Sequence, residues 1–156
     1  MKIIKATTED IPLLANFGKK LTKLHFDFDP DYYTFDESGF GPAFSDWLRN
    51  QIGIQSSIIL VAKENNQVIG FLSGFVKYLF PWYVIKRVGH ISFMFIDENY
   101  RRKGVGKELL REAKKWFKVQ GLTYMELYVN ENNQKGVSFW KSRGFSDFQK
   151  FLRMRI

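Results

Sequence analysis

Two glycines and a cluster of positive charge lie within DENYRRKGVGKELLREAKKWF, residues 97–117. Gly104 and Gly106 stand where a long amphipathic segment begins, and four cations surround them: Arg101, Arg102, Lys103 and Lys107. A helix start leaves backbone N–H groups without intrahelical partners, and the peptide dipoles add about half a positive charge there. Glycine lets an anion approach the backbone without meeting a Cβ atom. The stretch therefore predicts a pyrophosphate site, although it matches neither a Walker A loop nor the three-glycine dinucleotide fingerprint.

A second charged segment has the opposite sign. Residues 24–48 contain no Lys or Arg and carry six acids, Asp27, Asp29, Asp31, Asp36, Glu37 and Asp46. Of 24 bases and 16 acids in the chain, the remainder therefore holds 24 against 10, a balance of +14. Such a basic body could bind nucleic acid or one polyanionic cofactor, and the acidic segment indicates a second, cationic partner. The alternative for both charge sets is ordinary solvated surface.

Length and composition limit the class of protein. The 156 residues predict one domain, 1–156, able to bury about two-thirds of its unfolded surface. No apolar run approaches the roughly 20 residues of a membrane span, and the first residues lack a signal-peptide pattern. The absence of Cys excludes disulfides and thiolate metal sites, and two His do not suggest a structural zinc site. We expect a soluble cytoplasmic protein without a metal.

The elements that would position these residues follow from periodicity and turn signals. Strands are predicted at 2–6 and 89–96, at 123–129, and in a hairpin that turns at 64–67. Helices are predicted after Thr7, at 43–52 and 104–119, and from 133 to Gly144, before one or two closing strands in 145–156. The order is β-α-α-β-β-β-α-β-α-β. The crossover from 89 to 129 makes part of the sheet parallel, so the fold class is α+β.

Two motifs carry a resemblance to a known family. RRKGVG matches the [QR]-x-x-G-x-[GA] signature of the GCN5-related N-acetyltransferases, which receives the pyrophosphate of acetyl-coenzyme A. NENNQKGVSFWKSRGF resembles the family's N-x-x-A…Y-x-x-x-GF segment. The resemblance covers about 56–156, and the earlier part only by its β-α-α order. It implies a mixed central sheet, splayed open between the strands at 89–96 and 123–129, with helices on both faces.

The resemblance also implies a set of cofactor contacts. The pantetheine arm would lie in the split and pair with the backbone of Met94, Phe95 and Ile96, as an added strand would. The diphosphate would rest on the loop Arg101, Arg102, Lys103, Gly104, Val105, Gly106 and Lys107. Asn133 matches the asparagine that contacts the pantetheine arm. The alternative for Met94–Ile96 is a plain core strand.

The catalytic residues of the family do not all have a counterpart in this chain. Many family members protonate the leaving thiolate with a Tyr four residues before the GF, where this chain has Trp140, and indole cannot act as that acid. The histone-acetyltransferase branch uses instead a Glu on the strand before the loop, and its spacing places His90 there. His90 could take the proton of the amine, directly or through a water held by Ser92, or it could be a structural strand residue. Tyr128 or Tyr124 could replace the missing acid, and no spacing selects between them.

The acceptor is expected to be a primary amine, by resemblance and by charge. The family's acceptor pocket is walled by the first two helices and their connection, so Asp27, Asp29, Asp31 and Tyr33 are its candidates here, with Phe80, Trp82 and Tyr83 opposite. A polyamine, an aminoglycoside-like compound or a protein N-terminus or lysine would fit. The alternatives are an acyl-CoA-binding module without catalysis and a basic nucleic-acid-binding protein. We expect neither a nucleic-acid nor a membrane partner, and a homodimer stays open.

Overall fold

A computed structural model describes residues 1–33 and 36–156 of the chain. Thr34 and Phe35, within the predicted acceptor segment, lie outside the described residues, as does the side chain of the expected acid Glu37. The strands are β1 (Lys2–Lys5), β2 (Ser57–Glu64), β3 (Gln67–Tyr78), β4 (Arg87–Ile96) and β5 (Met125–Leu127). The helices are α1 (Ile11–Phe28), α2 (Glu37–Gln51), α3 (Val105–Val119) and α4 (Gln134–Ser142). Among the described residues, no helix is long and apolar enough to cross a membrane.

The five strands form one mixed sheet in chain order, β1-β2-β3-β4-β5. The first three pairings are antiparallel, and β4 pairs with β5 in parallel, across the crossover that contains α3. Asn65 and Asn66 turn the β2–β3 hairpin with φ of +48° and +63°, the backbone of a two-residue turn that suits the twist of the strands. The predicted mixed sheet, its hairpin and its parallel crossover are confirmed.

Helices cover both faces of this sheet. One face packs under α1 and α2, where Leu14, Phe17 and Leu48 meet Phe71 and Phe95 in a buried cluster. The other face packs under α3, and the members of that cluster include Leu72, Ile91, Leu109, Ala113 and Phe117. Trp140 and Phe145 join the second cluster from the α4 side. Each face of β4 is thus covered, as its mostly apolar sequence predicted.

The start of α2 differs from the prediction. The helix begins at Glu37, six residues before the predicted Ala43, because the Asp36 side chain accepts a hydrogen bond from the Ser38 backbone N–H and caps the first turn. Glycines and Pro42 within this stretch indicated a loop. The structure instead keeps Pro42 inside the helix, and the Ser45 hydroxyl donates to the carbonyl of Gly41 at 2.8 Å.

The prediction of closing strands was wrong. Residues 145–156 have no secondary structure, and β5 has three residues rather than the predicted seven. The last residues do alternate in type, with Arg153 and Arg155 on odd positions. A strand needs a ladder partner as well as a pattern, however, and these arginines form side-chain ion pairs with Asp29 and Asp31 instead.

Candidate functional site

The central feature of the site is the point where β4 and β5 part. The two strands pair only at Gly89–Met125, His90–Glu126 and Ile91–Leu127, while β4 runs on to Ile96. Within the described residues, no strand pairs with this last part of β4 on the β5 side. Such an edge presents backbone N–H and C=O groups to an extended ligand. The candidates Met94, Phe95 and Ile96 all lie on it, which fits their expected role, and that role stays a prediction.

A bulge in β4 lies beside this edge. Ser73 of β3 pairs with Phe93 and Gly74 pairs with Ile91, so Ser92 is an extra residue without a cross-strand partner. The bulge changes the faces of the strand, because Ile91 packs on the α3 side whereas Phe93 packs on the α1–α2 side. The alternation that placed Ser92 beside His90 therefore does not hold through this point. A catalytic role for Ser92 stays a prediction without support from the strand geometry.

The loop from β4 to α3 has the features of an anion site. Gly104 precedes α3 with φ of +83°, a left-handed conformation that favours glycine, and a Cβ there would meet nothing within 4 Å. The backbone N–H of Glu108 is bonded to the Gly104 carbonyl, so the amides of residues 105–107 precede the first intrahelical bond. Arg102 and Lys103 are exposed beside them. These residues fit the diphosphate of acetyl-CoA, with open space at Gly104 and unpaired helix amides behind it.

Two residues of this loop have other partners. Arg101 folds back toward the sheet, where its Nε donates to the Ile96 carbonyl at 3.1 Å and its guanidinium lies 5.6 Å from the Phe95 ring centroid. An added Cβ on Gly106 would lie 3.1 Å from the Phe139 ring of α4. Helix packing is thus a second reason for a glycine at position 106, and its predicted role in anion approach stays a prediction.

Asn133 has a defined structural role. It precedes α4, and its Oδ1 accepts a hydrogen bond from the Gly136 backbone N–H at 3.0 Å. An N-cap of this kind satisfies one backbone donor of the first helical turn. The amide NH₂ is a separate donor group, so contact with a pantetheine arm is compatible with capping and stays a prediction.

His90 lies in a polar cluster that spans three strands. Its side chain is 12% exposed, and its ring centroid is 5.1 Å from that of Phe75 and 5.4 Å from that of Tyr128. Lys77 Nζ donates to Glu126 Oε1 at 2.7 Å, and the same oxygen lies 3.9 Å from His90 Nδ1. Burial and the Lys77 charge lower the pKa of His90, and Glu126 opposes them. The imidazole is consequently neutral at pH 7, as a general base must be.

The structure distinguishes between Tyr124 and Tyr128, the two candidate acids that the sequence left open. Tyr128 follows Leu127, the last paired residue of β5, and lies against His90 at the split. Tyr124 precedes β5, and its carbonyl accepts from the Gly89 backbone N–H at the other end of the pairing. Trp140 packs against Phe139 and Phe145, with ring centroids 5.0 and 5.4 Å away, in the core under α3. Of the two tyrosines, Tyr128 therefore lies at the split beside His90, and a proton-donor role for it stays a prediction.

The expected acceptor carboxylates are ion-paired within the chain. Asp27 pairs with Lys23, Asp29 Oδ2 with Arg153 at 2.8 Å, and Asp31 Oδ2 with Arg155 at 3.7 Å. The Arg153 guanidinium also lies 5.3 Å from the Tyr32 ring centroid. A carboxylate beside an aromatic ring already holds a cation here, which is the chemistry predicted for the acceptor.

The aromatic residues around the acceptor segment are packed locally. Tyr33 contacts the ring of His25, with centroids 5.2 Å apart, and burial is the main cause of the raised pKa of its phenol. Phe80, Trp82 and Tyr83 are exposed, and the rings of Phe80 and Trp82 stack while the Tyr83 ring meets both edge-on. The structure thus describes no contact that joins this second set to the acidic segment, and its role as an opposite wall stays a prediction.

Lys77, Glu126 and Arg153 were missed by the sequence analysis. Glu126 and Lys77 reach His90 through strand register, since His90 lies opposite Glu126 on one side and Phe75 on the other. Arg153 reaches Asp29 across 124 positions of sequence. Arg153 lies in the segment 145–156, for which the sequence predicts one or two closing strands.

Comparison with known proteins places this chain in a family. The model of the acetyltransferase (GNAT) family matches residues 21–145. Uncharacterized N-acetyltransferase YhfO of Bacillus subtilis is 28% identical over 109 residues, 68% of this chain and 70% of that protein. Spermidine N(1)-acetyltransferase of Thermoplasma acidophilum is 28% identical over 104 residues, 64% of this chain and 65% of that protein.

Solved structures share the fold. A mutant of BH1408 protein from Bacillus halodurans superposes with a TM-score of 0.89 at 19% identity, covering 100% of this chain and 99% of that one. A predicted acetyltransferase with acetyl-CoA from Clostridium acetobutylicum gives a TM-score of 0.77 at 20% identity, covering 99% and 95%. Because the family model spans most of the chain, this chain belongs to the acetyltransferase (GNAT) family of acetyl-CoA-dependent enzymes, as its two motifs predicted.

Proposed function

We propose that this chain transfers an acetyl group from acetyl-CoA to a primary amine of a cationic acceptor, with His90 as the base and Tyr128 as the acid. The observation that carries the proposal is the position of these two rings. They lie side by side, 5.4 Å apart between centroids, where β4 and β5 part. Acetyl transfer to an ammonium group requires two kinds of proton movement: the nitrogen loses two protons, one before the attack and one after it, and one proton reaches the departing sulfur.

The chain's own groups account for both proton movements. A neutral His90 accepts a proton from the acceptor's ammonium group at Nε2, because Nδ1 is buried and faces Glu126. The neutral amine then attacks the thioester carbon, and the Tyr128 hydroxyl donates its proton to the leaving sulfur. The second proton of the nitrogen passes to the Tyr128 phenolate and restores the hydroxyl. Lys77 Nζ lies 5.6 Å from the Tyr128 ring centroid, and its positive charge stabilises the phenolate before that transfer.

Acetyl-CoA supplies the acyl group as its thioester. The edge of β4 at Met94, Phe95 and Ile96 holds the pantetheine arm by backbone hydrogen bonds, and the helix amides at 105–107 hold the diphosphate with Arg102 and Lys103. The unpaired strand edge and the open space at Gly104 support this assignment.

The acceptor class follows from charge. Asp29 beside Tyr32 already holds a guanidinium of this chain, so the same groups suit the ammonium of a polyamine or an aminoglycoside-like amine. The similarity to a spermidine acetyltransferase supports a polyamine. A peptide N-terminus or lysine is the second candidate, because it offers one ammonium group rather than several.

A panel of amines tests this function. Thiol release from acetyl-CoA is measured by absorbance with spermidine, putrescine, an aminoglycoside and a lysine peptide. We expect the polyamines to give the highest kcat/KM. Release with none of the amines, despite coenzyme A binding by calorimetry, would support the non-catalytic alternative. Binding of random oligonucleotides that coenzyme A does not displace would support the nucleic-acid alternative.

The base is tested with His90→Ala, and His25→Ala is the matched control. General-base catalysis contributes about 10²–10⁴-fold, so kcat/KM should fall by that much while coenzyme A affinity is unchanged. The wild-type rate should rise with pH through an apparent pKa below the ordinary 6.5 of histidine, since burial lowers it. This rising limb of the pH–rate profile should be absent in His90→Ala. A loss under about threefold, with the limb retained, would return His90 to a structural role.

A further inference from the structure

The Nδ1 atom of His90 is a buried polar atom without a hydrogen-bond partner in the described structure. The nearest acidic oxygen is Oε1 of Glu126, at 3.9 Å, which is too long for a hydrogen bond. A buried donor or acceptor that is left without a partner destabilises the folded state. Because this atom belongs to the proposed base, we expect a second arrangement of the side chains in which Nδ1 forms a hydrogen bond.

The second arrangement is set by strand register. Glu126 lies directly opposite His90 in the parallel β4–β5 pairing, so its carboxylate and the imidazole share one face of the sheet. Lys77 of β3 reaches the same carboxylate oxygen from the other side, at 2.7 Å. Glu126 therefore stands between a lysine and a histidine. A movement of about 1 Å toward Nδ1 would give an ordinary hydrogen-bond distance of about 2.7–3.2 Å.

We propose that Glu126 is a positioning residue for His90, and that Lys77 competes with His90 for its carboxylate. When Glu126 accepts from Nδ1–H, the imidazole is held in the tautomer whose Nε2 is free to take a proton. Lys77 limits this by retaining the carboxylate. The inference rests on the proposed role of His90 as the base, and its test separates the two.

The charged and titratable groups that face His90 come from two neighbouring strands. They are Lys77 from β3 and Glu126 and Tyr128 from β5, while the remaining ring contact, Phe75 of β3, is apolar. The last segment of the chain reaches this cluster through Phe151, whose ring centroid lies 6.5 Å from that of Tyr128. Lys77 and Glu126 act on the pKa of His90 in opposite directions, after burial. Removing each charge should therefore move the titration of His90 in opposite senses.

The experiment is a pH titration of the histidine rings by NMR in the cofactor-free protein. The chain has two histidines, so His25 is an internal reference in every spectrum. The variants are Glu126→Gln and Lys77→Met. Glu112→Gln is the matched control, since it removes a carboxylate paired with Lys115 on α3. Ring ¹⁵N shifts report which nitrogen holds the proton.

The two variants are expected to shift the pKa of His90 in opposite directions. Glu126→Gln lowers the pKa of His90 by about half a unit or more, and Lys77→Met raises it by a similar amount. Glu126→Gln also shifts the neutral ring away from the Nδ1–H tautomer. His25 should stay within about 0.2 unit throughout, as should both rings in the Glu112→Gln control.

Shifts under about 0.2 unit for both variants, or shifts of one sign, would overturn the inference. If Glu126→Gln does not fold, the direction of the Lys77→Met shift decides alone. If both shifts occur but His90→Ala retains activity, the coupling holds and the proposed base fails. If His90→Ala is inactive and neither variant moves the titration, the base stands and the role of Glu126 fails.

Discussion

Replacing Gly106 by alanine distinguishes helix packing from anion binding as the reason for this glycine. The new Cβ would lie 3.1 and 3.2 Å from two atoms of the Phe139 ring, closer than the usual carbon–carbon separation of about 3.5–4.0 Å. Overpacking of this kind costs about 1–3 kcal/mol. Alanine in place of glycine inside a helix gains about 1 kcal/mol. We therefore expect Gly106→Ala to lower the free energy of unfolding by up to about 2 kcal/mol.

The assay is a double-mutant cycle with Phe139→Leu, followed by urea unfolding with matched m-values. Leucine removes the ring edge that the new Cβ would meet. In that background Gly106→Ala should be neutral or stabilising by up to about 1 kcal/mol, a coupling of about 1–3 kcal/mol. Calorimetry with coenzyme A is run on all four proteins. The Phe139→Leu background should retain most of its affinity when Gly106 is replaced.

Two results would contradict this reasoning. A coupling below about 0.5 kcal/mol would mean that the ring does not limit the site. A loss of coenzyme A affinity that is equal in both backgrounds, with stability unchanged, would show that the space at Gly106 belongs to the ligand. The anion-binding interpretation of the sequence would then hold for both glycines.

Two further predictions concern ion pairs. Arg153→Ala frees Asp29, so KM for a cationic amine should fall about 1.5- to 5-fold, the range of an exposed pair, while Arg49→Ala leaves it unchanged. An unchanged KM in steady-state assays would mean that Asp29 does not bind the acceptor. Burial opposes ionisation of Asp10, but hydrogen bonds from Lys63 and Thr7 outweigh it and lower its pKa. The stability this gives is present above the ordinary pKa and lost below about pH 4, so urea unfolding should show an acid loss that Asp10→Asn lacks.

Local sequence determined most of the fold. Asn65 and Asn66 predict their turn because both tolerate positive φ, and Gly104 and Gly121 bound α3 for the same reason, with φ of +83° and +75°. The parallel crossover follows from a strand, a helix and a strand in succession. Likewise, the motif at 101–106 predicted the family before any contact was known. These features depend on residues within one turn or one element of each other.

The candidate site depended on tertiary structure in its decisive parts. Glu126 meets His90 only because two strands align in one register, and a shift of one residue would turn its carboxylate to the other face. The bulge at Ser92 changes the face of every later residue in β4, and nothing in its own sequence marks it.

Sequence by itself thus determined most of the elements and the family motif, because each arises from neighbouring residues. Tertiary structure alone decided that Gly106 packs on Phe139, that Tyr128 rather than Tyr124 lies at the split, and that Arg153 reaches Asp29. The physical reason is distance along the chain. Contacts between side chains far apart in sequence follow from how whole elements pack, and the identity of either residue does not encode that arrangement.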